Sequence, residues 1–269
     1  MKRIVLVLAL VLVAGVLGIM RNRVAFGRGQ EVTTEISQTY QLQPGSRVEL
    51  SGIRGSVNIE TSDRSTGEVD VTITGRNSDE MKSSLRLEQT ADGLVIRGRP
   101  NYGGLLHRWL NGSIEQTVSL RLPRNIQLTV NGISGAVSIG QVDGSVRVNG
   151  INGKLEMART SGYTELSGIN GRVEVGVFRL DEKGLRISGV NGGVVLRLAE
   201  DVNADLNGQG IRGRVKSEAV NLTVDDDRSR SSFSGKIGSG GAPINISGIN
   251  GGVKLLSFDP TQTAAQKAE

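Results

Sequence analysis

Asp225-Asp226-Asp227 is the densest acidic run in the chain. Adjacent carboxylates can bind Ca²⁺ through hard oxygen ligands, or supply part of a polysaccharide-cleaving site. Arg228 and Arg230 follow at once, so the run reads as a solvated, charge-balanced loop. His107 is the only histidine. A Ser-His-Asp triad would have to use it, and no serine setting of the G-x-S-x-G kind supports one. A histidine-based zinc site has equally little support. There is no cysteine, which excludes disulfides, thiolate metal sites, a cysteine nucleophile and a cysteine-linked lipid. Gly208-Gln-Gly210-Ile-Arg-Gly213 has the spacing of a dinucleotide loop, which must lie between a strand and a helix. Arg214-Val-Lys-Ser-Glu continues it as an alternating strand instead. No catalytic, cofactor-binding or metal-binding residues are expected.

The same glycines belong to a repeat. Gly-(Ile/Val)-x-Gly starts at Gly52, Gly132, Gly150, Gly168, Gly189, Gly210 and Gly248. From Gly132 onward the steps are 18, 18, 21, 21 and 38 residues. The last step reads as two periods, with a degenerate copy at Phe233 to Gly238. Before six of the seven motifs stands an apolar residue followed by Asn or Ser. After it comes alternation, as in Arg172-Val-Glu-Val175 and Gly252-Val-Lys-Leu255, the pattern of a strand with one buried face. A second glycine corner opens Gly144-Ser-Val-Arg-Val148, Gly162-Tyr-Thr-Glu-Leu166 and Gly184-Leu-Arg-Ile187. One period is therefore corner, strand, corner, strand.

Asn-Gly between strands also fits a meander of antiparallel hairpins. The near-constant period favours the other arrangement, because hairpin turns have no reason to share length and residues. The expected fold is all-β: a β-solenoid (a single-stranded β-helix or roll) with coils of about 18–21 residues. Ile would stack on Ile, and glycine would recur where each coil needs the same positive-φ corner. Asn152, Asn170, Asn191 and Asn250 would form an amide ladder or merely tolerate a left-handed turn. The three extra residues of the Gly168 to Gly189 step would bulge from one corner.

Residues 1–30 stand apart. Met1-Lys2-Arg3 is a basic start, and Ile4 to Met20 carries no charge over 17 residues. This reads as a signal peptide or an N-terminal membrane anchor, with Arg21 and Arg23 just behind the apolar run. The net charge of +5 equals the five cations at positions 2, 3, 21, 23 and 28, since 27 basic and 27 acidic residues remain. The folded part is thus neutral, and no nucleic-acid partner is expected. Residues 31–125 read as a β-rich part continuous with the solenoid, residues 126–258 as its regular repeats, and 259–269 as a disordered tail. Tyr102 to Leu110, with the only Trp, breaks the alternation. It reads as a cap over the open end of the stack, or as a contact patch for membrane or partner.

The leader, the Leu122-Pro123 strand end before the array, and Gly238 to Leu255 (GSGGAPINISGINGGVKL) resemble the bacterial putative-adhesin family of β-strand-repeat envelope proteins. The resemblance spans roughly residues 35 to 256. It implies an exported, non-enzymatic interaction module in the periplasm or at the cell surface, held to the membrane by residues 4–20. Its partner would be an envelope protein or polysaccharide. A carbohydrate-active β-helix enzyme (a lyase or hydrolase using Asp225 to Asp227) and an envelope-stress sensor partnered with a membrane protein are the alternatives. Coils fold only against their neighbours, so Ile169→Asp is expected to abolish the cooperative thermal melt; an unchanged melt would move this ladder out of the core.

Overall fold

The computed structural model describes residues 19–23, 32–75, 84–98, 114–218, 222–224 and 231–258. Most of the leader, Tyr102 to Leu110, Asp225 to Asp227 and the tail lie outside the described residues. Ile19 and Met20, read as the end of the apolar leader, instead open a strand.

All regular structure among the described residues is β. The N-terminal strands are β1 (Ile19–Arg23), β2 (Val32–Gln41), β3 (Arg47–Ser51), β4 (Val57–Ser62), β5 (Thr66–Gly75), β6 (Leu85–Thr90), β7 (Gly93–Gly98) and β8 (Glu115–Pro123). The regular periods form β9 (Gln127–Ile133), β10 (Val137–Val142), β11 (Val146–Ile151), β12 (Leu155–Thr160), β13 (Thr164–Ile169), β14 (Val173–Val177), β15 (Leu185–Val190) and β16 (Val194–Leu198). The C-terminal strands are β17 (Ala204–Ile211), β18 (Val215–Glu218), β19 (Leu222–Val224), β20 (Phe233–Ile237), β21 (Ala242–Ile249) and β22 (Val253–Ser257).

The strands form two large sheets. The first runs β1-β2-β5-β8-β4-β10-β12-β14-β16-β22-β18, and the second β19-β20-β17-β21-β15-β13-β11-β9-β3-β7-β6. Each period gives one strand to each sheet and pairs in parallel with the next. Ile151 registers with Ile133 and Ile169, and Leu155 with Val137 and Val173. The glycine corners are therefore not hairpin turns, because the strands on either side belong to different sheets. The motif's apolar residues (Ile53, Ile133, Ile151, Ile169, Val190, Ile211 and Ile249) are all at most 2% exposed. Burying each such side chain contributes roughly 1.5–3 kcal/mol.

Two glycines serve two different needs. The first of each motif has φ between 61° and 69°, the left-handed region that a Cβ disfavours. The second packs against the next corner: a Cβ on Gly171 would lie 2.2 Å from the Gly153 carbonyl oxygen. No non-glycine among the described residues has positive φ, so the motif asparagines are not there for a left-handed turn. The longer Gly168 to Gly189 step places its extra residues between β14 and β15. There the Asp181 carboxylate accepts hydrogen bonds from the backbone N–H of Lys183 (2.9 Å) and Gly184 (3.0 Å).

The ends depart from sequence order. β21 lies between β15 and β17, and β22 between β16 and β18. The last motif copy is thus tucked inside the stack, and the expected degenerate copy at Phe233 to Gly238 does not form a rung. β20 instead runs antiparallel to β17 and β19. The Phe233 ring packs over Gly208, where a Cβ would come within 2.0 Å of it. An antiparallel hairpin so covers the β17 edge, which would otherwise be open. The other end mirrors this. β3 lies between β9 and β7, and β4 between β10 and β8. The Gly52 motif therefore touches the Gly132 motif despite 80 intervening positions. Antiparallel β5 and β2 extend the first sheet beyond β8, and β6 the second beyond β7.

A chain stopped after Gly241 loses an internal rung, not a terminal one. Hydrogen exchange is expected to show the amides of β18, whose partner is β22, unprotected in that truncation. Protection retained at Val215–Glu218 would contradict the tucked order.

Candidate functional site

The corner between the second and first sheets carries an amide ladder. Asn170 donates from Nδ2 to Asn152 Oδ1 (2.9 Å), Asn191 to Asn170 (3.0 Å), and Asn250 to Asn191 (2.9 Å). Arg212 closes it by donating to Asn250 Oδ1 (3.3 Å). Of the two roles open to these asparagines, the structure shows the ladder. All four are exposed, so each bond is worth about 0.5–1.5 kcal/mol. Beside them on the outward face of the second sheet, Asn131, Asn149, Ser167, Ser188 and Ser247 share one register row. Arg147, Glu165 and Arg186 share another. Arg147 reaches Glu165 (3.6 Å) and lies over the Tyr163 ring (5.5 Å). Burial, followed by the Glu165 charge, pushes the Tyr163 phenol above its ordinary range.

The first sheet's outward face is charged. Lys154, Glu156, Arg172 and Glu174 meet there. Glu174, only 15% exposed at its side chain, contacts Arg172 (2.7 Å), Arg197 (3.5 Å) and Lys154 (4.0 Å), and Lys154 also pairs with Glu156. Near β8 the balance is reversed: Arg121 is shared by Glu68 (2.9 Å), Asp70 (3.5 Å) and Glu60 (3.7 Å). The hydrogen bond it donates to Glu68, and then the Glu68 charge, hold this guanidinium above its ordinary range. Carboxylates thus gather at the N-terminal end of this face and cations at the other.

Sequence reasoning missed one cluster. Arg159 lies over both Phe258 (4.9 Å) and Phe178 (5.3 Å), at the far corner of the first sheet. The scarcity of aromatics, 3% of the chain, was the available signal. Gly208, Gly210 and Gly213 sit in β17 and its corner, and β18 follows. No helix is present there for a phosphate to cap. Among the described residues no group of three or more acidic or histidine side chains is placed to hold a metal ion.

No family model and no curated protein matches the chain. Solved structures do. Its structural neighbours are putative adhesins. The chain is similar over 82% of its length, at 13% identity and a TM-score of 0.36, to 99% of a putative cell adhesion protein from Clostridium sporogenes. It is similar over 82%, at 12% identity and a TM-score of 0.30, to 97% of a putative adhesin from Bacteroides fragilis. A putative adhesin from Parabacteroides merdae matches at 10% identity and a TM-score of 0.29, with 86% of this chain and 98% of that one covered.

The ladder and the apolar stack should separate energetically. Asn170→Ala is expected to cost about 0.5–1.5 kcal/mol in denaturant unfolding, against about 2–5 kcal/mol for Ile169→Ala. Equal losses would make the amide ladder part of the core's stability rather than a surface addition.

Proposed function

We propose that this chain is a non-enzymatic, adhesin-like interaction module of the cell envelope, built as a two-sheeted β-solenoid. One observation carries this reading. The two glycines and the Ile or Val of the corner recur in every rung, whereas the outward rows of the first sheet differ from rung to rung. Ser138, Glu156, Glu174, Val195, Lys254 and Lys216 occupy one such row. Repeated residues build the scaffold, and the rows between the corners display varied chemistry along a long face. Such a face suits an extended polymer or another protein better than a small molecule, which favours a concave site. The basic start and the apolar stretch from Ile4 support export and attachment at the membrane.

Immobilised full-length chain, exposed to envelope extract, is expected to retain a glycan or protein that the Ile169→Asp variant does not retain. Recovery of neither would dismiss the module reading.

A further inference from the structure

The cationic half of the first sheet contains a groove that the tucked rung creates. In most rungs the residue after the motif carries a side chain: Lys154, Arg172 and Arg214. Two copies have glycine there, Gly193 and Gly252. They lie 59 positions apart in sequence but on adjacent rungs, because β22 pairs with β16. Arg172 stands on the rung before this pair and Arg214 on the rung after it. The result is an open trough of about 530 Å³ floored by Gly193, Gly252 and Val195, with Arg172, Arg214, Lys216 and Lys254 along it.

Packing requires glycine at Gly252, where a Cβ would lie 2.9 Å from the Arg214 carbonyl oxygen, but not at Gly193. A Cβ on Gly193 would meet nothing nearer than the Gly252 carbonyl oxygen at 3.6 Å, an ordinary contact, and Gly193 does not have positive φ. The fold accepts a side chain at this position, and this rung leaves it out. Half of the charge is left uncancelled. Glu174 pairs with Arg172 (2.7 Å) and Glu218 with Lys254 (3.1 Å). Arg214 and Lys216 form no ion pair among the described residues, and no carboxylate lines the trough. Where Glu156 and Glu174 stand on earlier rungs, this rung has apolar Val195 in the same row.

We infer that this groove binds a linear acidic polysaccharide carrying a carboxylate on successive sugars, laid along the stack. This rests on the module reading and names its partner. The trough crosses three rung steps from Arg172 to Arg214, roughly 14 Å at the usual strand spacing. A pyranose chain repeats on a length close to one such step, so the carboxylates that face the sheet reach the cation-bearing rungs of Arg172, Lys254 and Arg214. The Arg214 guanidinium offers a forked donor that matches a carboxylate, Lys254 on the rung between and Lys216 beside Arg214 supply point charges, and Arg172, held to Glu174, bounds the far end. A bare glycine floor lets the sugar rings approach the backbone.

The test uses the full-length chain with oligogalacturonate, measured by calorimetry at low and high salt. Neutral dextran and polyphosphate serve as comparison polymers. Wild-type protein is expected to bind oligogalacturonate, more weakly as salt rises, and to ignore dextran. The double variant Arg214→Gln/Lys216→Gln is expected to lose at least about tenfold in affinity, and Gly193→Glu to lose binding, both with an unchanged thermal melt. Arg86→Gln, on distant β6, should bind as wild type. Absence of binding at low salt, variants that bind as wild type, or polyphosphate binding equally tightly would each overturn the groove assignment. If capture from envelope extract persists in that case, the module reading stands without the groove. If capture also fails, both fall.

Discussion

The close approach of one glycine corner to the next sets the rest of this structure. At Gly135, Gly153, Gly171, Gly192, Gly213 and Gly251, a Cβ would fall 2.2–2.4 Å from the adjacent rung's corner carbonyl oxygen. No other residue type fits there without moving backbone. Once the corners nest, equivalent residues must share a level, and both sheets inherit their register from that. The isoleucine stack, the asparagine ladder and the rows of outward side chains follow from one contact repeated along the molecule. A one-residue slip on any rung would turn its buried face outward.

Much of this was legible in the chain because a period makes each residue's role appear several times. Ile169 reads as buried from its six counterparts, and the glycines around it read as corners. What the period hides is the order of stacking. The copy at Gly248 has the same corner residues as those at Gly150 or Gly168, so nothing in it names the neighbours it joins. Tucking it between the Gly189 and Gly210 rungs satisfies the same local contacts as a simple succession. The difference lies in β20, whose Phe233 covers Gly208 and occupies the edge that a further rung would have used. Phe233 to Gly238 reads as a worn copy because it alternates as a strand should, while its partner and direction are set by tertiary contacts.

The candidate groove was illegible for the same reason. Gly193 and Gly252 are unremarkable as separate residues, and each looks like a small variation after a motif. Only their adjacency, with Arg172 and Arg214 on either side, makes a site. The amide ladder lay between these cases: its residues were visible, and the backbone angles decided between its two readings. Charge also had to be placed before it meant anything. A folded part with as many acids as bases is neutral in sum, yet its acids crowd around Arg121 while unpaired cations gather near β18.

Both tucked ends act as clasps around a middle that runs in simple order from β9 to β16. Each clasp joins the middle through one strand of each sheet and the glycine corner between them, and the glycine positions of the middle corners are alike. An 18-residue period gained or lost there would renew the same contacts and leave the clasps as they are. The middle can thus vary in length. Duplication of a period can change how far its two ends stand apart without redesigning either one.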